Sequence, residues 1–131
     1  MDKPNPFLEE KVVKFWKGYE SANFLRFKDM FAPTIELVLP EGTFKGSSAD
    51  MLKQMAKRID HISTLQVHVL YWHSVFIIDK NETWVFIWTA LEGGSSSKPG
   101  NTSSNIHQVW RFDKSGKAYA IQEYQSPFHI N

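Results

Sequence analysis

Apolar side chains near the start of the chain recur at the spacing of an α-helix. They fall three or four positions apart, which places them on one helical face. The members of this stripe are Leu8, Val12, Phe15, Trp16 and Tyr19. Asn5 followed by Pro6 is a typical helix start, because Asn caps the first turn and Pro is tolerated at the first helical position. The pattern therefore predicts a helix that begins at Pro6 and is broken by residues 21–23.

Two further helices are predicted before residue 64, with a short strand between them. Asn23 can cap the first of these, and Pro33 ends it. A strand at Thr34–Leu39 and a turn at residues 40–42 follow. Ser47 and Asp50 resemble a capping box that opens the last helix. The apolar stripe of that helix consists of Met51, Leu52, Met55, Ile59 and Ile62.

From Thr64 onward the hydrophobic period changes to two, which is typical of strands. Strands are predicted at Thr64–Ile78 and Thr83–Glu92, and a final hairpin over Asn105–Gln125. Residues 93–104, GGSSSKPGNTSS, carry no large apolar side chain and are predicted to form a mobile connection or a lid over a pocket. Helices followed by long antiparallel strands predict one α+β domain over residues 1–131, with the helices on one face of a curved sheet.

The final hairpin is predicted to turn at Asp113-Lys114-Ser115-Gly116. Gly can adopt the positive φ that such a turn needs, and the Asp side chain can form a hydrogen bond with the backbone of the turn. Pairing Phe112 with Lys117 would set Trp110 opposite Tyr119. One face then carries Gln108, Trp110, Phe112, Tyr119, Ile121 and Glu123. Such a face, aromatic with two polar groups at its far end, either lines a ligand pocket or is a core face whose polar ends reach solvent.

The preceding hairpin has two apolar faces, and its register decides which of them meets the helices. If Ile78 pairs with Thr83, the side chains of the two strands divide into two sets, one on each face of the hairpin. The set predicted to face the helices is Val69, Tyr71, His73, Val75, Trp84, Phe86, Trp88 and Ala90. The set predicted to face outward is His68, Leu70, Trp72, Phe76, Val85, Ile87 and Leu91. An exposed apolar face of that size indicates an interface, so a homodimer through the outer sheet face is predicted.

Two motifs resemble the nuclear transport factor 2-like superfamily, which includes ketosteroid isomerases, SnoaL-type polyketide cyclases and scytalone dehydratase. The first is V-x-R-F-x-x-x-G-K at residues 109–117, followed by Glu123-Tyr124. The second is F-A-P-T-I-E-L-x-x-P-x-G-x-F-x-G at residues 31–46. The resemblance covers nearly the whole chain and implies a cone-shaped fold, a curved antiparallel sheet around three N-terminal helices. It also implies dimerisation through the outer surface of the sheet.

The catalytic groups of ketosteroid isomerases are absent from the matching positions. The carboxylic acid of the penultimate strand falls at Gln108, and the tyrosine of the first helix at Phe15 or Trp16. The base at the end of the first strand falls near Val38 or Leu39. A Gln amide donates a hydrogen bond but cannot act as a strong acid. The chain is therefore not expected to be a ketosteroid isomerase.

Composition excludes several classes of function. Fifteen Lys and Arg against fourteen Asp and Glu give a net charge of +1, so no nucleic-acid or anionic-membrane partner is expected. The chain has no cysteine, no apolar run of membrane-spanning length and no signal-peptide pattern, so a cytoplasmic location is predicted. His61, His68, His107 and His129 lack metal-ligand spacing, and no nucleotide motif occurs, so neither a metal nor a cofactor is predicted.

The sequence predicts a domain that binds a small hydrophobic ligand in an aromatic-lined cone. His73 and Glu123 are the candidate catalytic residues, because they are the titratable groups predicted to converge there. The candidate ligand-binding residues are Trp16, Tyr19, Tyr71, Trp88, Gln108, Trp110, Tyr119 and Ile121. The alternative is a SnoaL-like isomerase, cyclase or dehydratase that acts on a small cyclic substrate with these acid–base groups.

Overall fold

The computed structural model describes residues 4–21, 23–60, 62, 64–93 and 102–126. Its helices are α1 (Pro6–Gly18) and α2 (Ser48–Ile59), with 3-10 helices at Leu25–Met30 and Ile78–Lys80. Its strands are β1 (Phe31–Leu39), β2 (Gly42–Ser47), β3 (Gln66–Ile77), β4 (Glu82–Gly93), β5 (Thr102–Phe112) and β6 (Ala118–Ser126). The predicted element order is confirmed, although the second helix is a 3-10 helix.

The strands form one six-stranded sheet in the order β2-β1-β6-β5-β4-β3. All neighbours are antiparallel except β1 and β6, which run parallel, with Leu37 beside Ile121. The α+β class is confirmed, but the sheet is mixed rather than wholly antiparallel. No described helix is long and apolar enough to cross a membrane.

The caps predicted from sequence hold both helices. The Asn5 side chain accepts a hydrogen bond from the Leu8 backbone N–H, and Ser47 accepts one from that of Asp50. Asn5 also ties α1 to the sheet, because its backbone N–H donates to Ser74 Oγ at 2.7 Å. Ser74 in turn donates to Glu9 at 2.5 Å. The start of α1 is thus fixed over β3.

Aromatic rings fill the space between α1 and the sheet. Phe15 is fully buried and lies against Trp110 and Phe31 of the sheet, with ring centroids 5.0 and 5.5 Å away. It also contacts Phe24 and Phe27 around the 3-10 helix. Close-packed rings at these separations leave little room for further large side chains from β3 and β4.

The prediction of which face of the β3–β4 hairpin meets the helices is wrong. Val85 and Ile87 are fully buried, whereas His73, Phe86 and Trp88 lie on the outer face. The outer face also carries Tyr71, Val75, Trp84 and Ala90. The physical reason is volume: beneath an aromatic-rich helix, β-branched side chains fit and Trp does not. In that region the predicted grouping of residues into two faces is correct, although the register is not. The observed pairing of Phe76 with Thr83 differs from the predicted one by two residues, and a shift of two leaves every side chain on the same face as its predicted neighbours.

A register shift between Val69 and Tyr71 changes which side chains point inward in the first part of β3. Val67 is buried and Val69 packs against the core, while Leu70 is 60% exposed. Trp72, which is also predicted to face outward, lies opposite the buried Ile87 and therefore on the inner face, where it is 42% exposed because β3 is the edge strand. A bulge of this kind inserts one residue, so side chains on either side of it follow different alternations.

A second bulge corrects the predicted register of the last hairpin. Trp110 lies opposite Ile121 rather than Tyr119, and Phe112 lies opposite Ala118. The turn forms as expected, with the Asp113 carboxylate accepting from Ser115 and Lys117 and Gly116 at a φ of +82°.

Tyr119 is the residue displaced by that bulge, and its predicted inward position is wrong. Its hydroxyl donates to Glu82 at 2.6 Å, and Glu82 also accepts from the outward Trp84. Burial together with the Glu82 carboxylate raises the pKa of Tyr119 to about 12.

The predicted loop at residues 93–104 is shorter than expected. β4 extends to Gly93 and β5 begins at Thr102. Residues 94–101, and with them the predicted mobility or lid role, lie outside the described residues.

The two faces of the hairpins can be distinguished by one substitution made on each. Val85→Ala removes two methyl groups from the core and should cost about 2 kcal/mol, the transfer term plus a cavity term. Val109→Ala makes the same change on the half-buried outer face and should cost less than about 1 kcal/mol. Urea unfolding measures both, and equal losses would contradict the observed orientation.

Candidate functional site

A cavity of about 260 Å³ lies between α2 and the adjoining ends of β4, β5 and β6. Half of its lining residues are aliphatic, and Arg58 and Tyr19 lie near the carboxylate of Glu123. The lining residues are Tyr19, Met55, Arg58, Ile59, Ile62, Leu91, Ser104, Ile106, Glu123 and Gln125. The stripe of α2 that sequence assigns to the core thus also forms one side of this cavity.

A buried chain of hydrogen bonds leads from the core to the cavity. Trp110 Nε1 donates to Gln108 Oε1 at 2.7 Å, and Gln108 Nε2 donates to Glu123 Oε1 at 2.8 Å. Gln108 is fully buried and Glu123 is 4% exposed. Because an indole N–H is only a donor, it fixes the amide oxygen of Gln108 and leaves the amide N–H for the carboxylate. The chain therefore orients Glu123 without neutralising it.

Arg58 supplies the cation that a buried carboxylate requires. Its Nη2 lies 3.3 Å from Glu123 Oε2 and 3.3 Å from Oε2 of Glu41, which is largely exposed. Arg58 stands in the last turn of α2, where a cation also favours the helix dipole. One guanidinium nitrogen thus serves two carboxylates, one inside and one at the surface.

Tyr19 contributes a hydroxyl that stays neutral. Its burial, and then the nearby Glu123 charge, raise the pKa of Tyr19 far above the ordinary tyrosine value. Its hydroxyl is also hydrogen-bonded to Gln108, and its ring stacks on Trp16 at 4.4 Å. The site therefore combines an ionisable carboxylate with an un-ionised phenol.

The structure brings part of the predicted site together. Glu123 and Tyr19 line the cavity, and Gln108 bonds Glu123 directly. Trp16, Trp110 and Ile121 are buried in the core behind them. Their roles toward a ligand stay predictions, but the interior positions are as expected.

The remaining predicted site residues lie elsewhere. His73, Trp88 and Tyr71 stand on the outer face, as does Tyr119. The predicted convergence of His73 with Glu123 is therefore wrong, and so is the inward placement of Tyr71, Trp88 and Tyr119. The cause is that the β3–β4 hairpin turns the opposite face to the helices from the one predicted, together with the bulge at Tyr119.

Sequence reasoning missed Arg58, Glu41 and the aliphatic wall. A basic residue beside an apolar helix stripe is ordinarily solvent-exposed, so nothing local singled out Arg58. The available signal was Glu123 itself, since an inward carboxylate demands a partner. Nothing in the sequence pattern, however, indicates that the partner is the arginine of α2.

The outer face carries a row of stacked rings, which we call the outer ladder: Tyr71, His73, Phe86, Trp88, His107 and Tyr124. His73 stacks on Phe86 at 4.8 Å, and Trp88 on His107 at 4.2 Å. A shallow cavity of about 330 Å³ lies beside the ladder, against Leu70, Trp88 and Tyr124.

No known sequence family matches the chain, and no curated protein does so. Solved structures do resemble it. A nuclear transport factor 2-like protein of unknown function from Exiguobacterium is 14% identical, with a TM-score of 0.69 over 90% of this chain and 99% of that one. A hypothetical protein from Catenulispora acidiphila with a ketosteroid isomerase-like fold, in complex with trimethylamine, is 18% identical, with a TM-score of 0.70 over 90% and 86%.

A third similar structure is the epoxide hydrolase/cyclase-like enzyme SalBIII, associated with pyran ring formation in the polyether salinomycin. It is 10% identical, with a TM-score of 0.66 over 92% of this chain and 91% of that one. These likenesses establish the fold: the chain adopts the nuclear transport factor 2-like cone that its motifs indicated.

Proposed function

We propose that the protein binds a small, largely apolar molecule in the cavity between α2 and the ends of β4–β6. The observation that carries this proposal is the buried carboxylate of Glu123, held by Gln108 and presented to a cavity with one aliphatic side. A few placed polar groups in a mostly apolar concavity are the usual form of a small-molecule site. The physiological ligand is not identified by the fold, since one fold serves many functions.

The cavity favours a compact ligand, and its wall is less aromatic than the cone that the sequence predicts. Its volume of about 260 Å³ falls below the range of about 300–1,000 Å³ typical of drug-sized ligands. Half of its lining residues are aliphatic, with Met55, Ile59 and Ile106 among them. The trimethylamine complex of the Catenulispora protein supports small ligands for this fold.

The alternative function is an enzyme of the SnoaL-like kind. It is favoured by the pairing of an ionisable Glu123 with an un-ionised Tyr19 in one cavity, a combination suited to proton transfer. The likeness to SalBIII is compatible with it. Since His73 lies on the other side of the sheet, Glu123 would be the acid–base group and Tyr19 a hydrogen-bond donor.

Binding can be located through the methyl groups of Met55 and Met30. Met55 lines the cavity, whereas Met30 lies apart from it. In a screen of small apolar compounds, a ligand of the cavity should shift the ¹³C-methyl resonance of Met55 and leave that of Met30 in place. Ser104→Phe places a ring in the cavity and should abolish the shift, while Ser103→Phe, one residue along and exposed, should not.

Shifts that survive Ser104→Phe would contradict the proposed site. Chemical conversion of a bound compound by the wild type, lost in Glu123→Gln, would establish the enzyme alternative. A bound compound that both proteins leave unchanged would favour the binding function.

We also propose that the protein is a homodimer through the outer sheet face. The sequence assigned this interface to Trp72 and Ile87, but Ile87 is buried in the core. The outer ladder takes its place, with Tyr71 and Tyr124 56% and 48% exposed. A contiguous exposed aromatic surface of this kind is typical of an interface. A cytoplasmic location stays a prediction from the sequence.

Phe86→Glu tests the dimer, because it places a charge at the middle of the outer ladder. Light scattering should give about twice the 15.2 kDa chain mass for the wild type and a larger monomer fraction for the variant. Phe7→Glu, at a 67% exposed position on α1, is the control and should not change the mass. A wild type that is monomeric at micromolar concentration would refute the proposal.

A further inference from the structure

The charges of the described residues at the cavity do not balance. Among the described residues that line it, Arg58 is the one cation and Glu123 the one carboxylate. Arg58 is shared, however, with Glu41 at the same 3.3 Å distance. Tyr19 adds no charge, since burial raises its pKa. Two carboxylates around one guanidinium leave this group with one net negative charge.

The two oxygens of Glu123 are bonded unequally. Oε1 accepts from Gln108 at 2.8 Å, within the range of a strong bond. Oε2 receives a single Arg58 nitrogen at 3.3 Å, longer than the roughly 2.7–2.9 Å of a strong charge-assisted bond. The contact is not bidentate, so Oε2 retains capacity for another donor. Glu123 is buried and lines the cavity, so that donor can come from a molecule inside it.

We infer that the cavity selects a small protonated amine, whose ammonium binds Glu123 Oε2 while its hydrocarbon part contacts the aliphatic wall. This inference rests on the proposed binding function and names the ligand class. Arg58 need not leave the site, because Glu41 already holds the same nitrogen. The amine and Arg58 together would then match the two carboxylates in charge.

The same charges disfavour the opposite ligand class. A carboxylate or phosphate could approach Arg58 only next to Glu123 and Glu41, and repulsion from both opposes it. A neutral alcohol can donate to Glu123, but it leaves the net charge uncompensated. The affinity should therefore be highest for the amine, lower for the alcohol and lowest for the acid. The charge of the Glu123 carboxylate should determine how large these differences are.

Three compact probes of similar shape test the order: cyclohexylmethylamine, cyclohexylmethanol and cyclohexanecarboxylate. At neutral pH the amine should bind at least about tenfold more tightly than the alcohol, in line with hydrogen bonds to charged groups, and the acid most weakly. Calorimetry gives the affinities, and the Met55 methyl shift shows that each probe occupies the cavity. This comparison uses the wild type alone and does not depend on a variant that must fold.

Glu123→Gln keeps the shape of the side chain and removes its charge. It should reduce the preference for amine over alcohol to less than about threefold, because the amine loses its counter-charge whereas the Gln oxygen can still accept a hydrogen bond from either probe. Glu41→Gln should weaken the amine several-fold, because Arg58 would then belong to Glu123 alone. Glu36→Gln, at an exposed carboxylate paired with Lys45, is the matched control and should change neither affinity.

The outcomes separate this inference from the function on which it rests. Alcohol or acid binding as tightly as the amine, with the Met55 shift present, overturns the amine class and leaves the pocket standing. The same holds if none of the three probes binds while other compounds still move Met55. If no compound moves Met55, the proposed binding function itself is wrong.

Discussion

The interior of this protein is organised around one buried carboxylate. Glu123 is 4% exposed, and burying an ionised group without partners would cost several kcal/mol. Gln108 and Arg58 meet that requirement from different elements, β5 and α2. The interaction therefore fixes the position of α2 against the sheet, and it does so at the edge of a cavity. A group retained at this energetic cost beside an apolar cavity is the strongest sign of function in the described part of the chain.

Side-chain volume decides how the rest of the sheet is arranged. Phe15, Trp16 and Trp110 occupy the interior, so β4 contributes Val85 and Ile87 there and turns its Trp and Phe residues outward. The bulges at Leu70 and Tyr119 adjust the ends of the strands to this division. The result is one sheet with two apolar faces, of which the inner one carries the proposed ligand site and the outer one the proposed interface.

Much of the fold could be predicted from sequence because its signals are local. The Asn5-Pro6 start, the Ser47 cap, the change of period at residue 64 and the turn at Asp113–Gly116 each depend on neighbouring residues. The inward positions predicted for Gln108 and Glu123 are correct. The predicted register is wrong by two residues there, and a shift of two does not move a side chain to the other face of the sheet.

What could not be predicted depends on distant contacts. The inward face of β3–β4 is set by the rings of α1 and β5, and both faces of that hairpin are apolar, so period alone could not choose between them. A bulge leaves no clear mark in the alternation, which is why Tyr119 was misplaced. Arg58 meets Glu123 across 65 residues of sequence, and the parallel β1–β6 pair joins strands from opposite parts of the chain. No local pattern specifies either contact.

The most direct test of this account is a double-mutant cycle between Gln108 and Glu123, measured as free energies of unfolding in urea. The three variants are Gln108→Leu, Glu123→Leu and their combination. If Gln108 satisfies a buried charge, the two losses should be non-additive by at least about 1.5 kcal/mol, because Glu123 is left without its donor only in the first variant. Losses that add within about 0.5 kcal/mol would show that the two side chains do not interact, and would contradict the buried carboxylate on which the site depends.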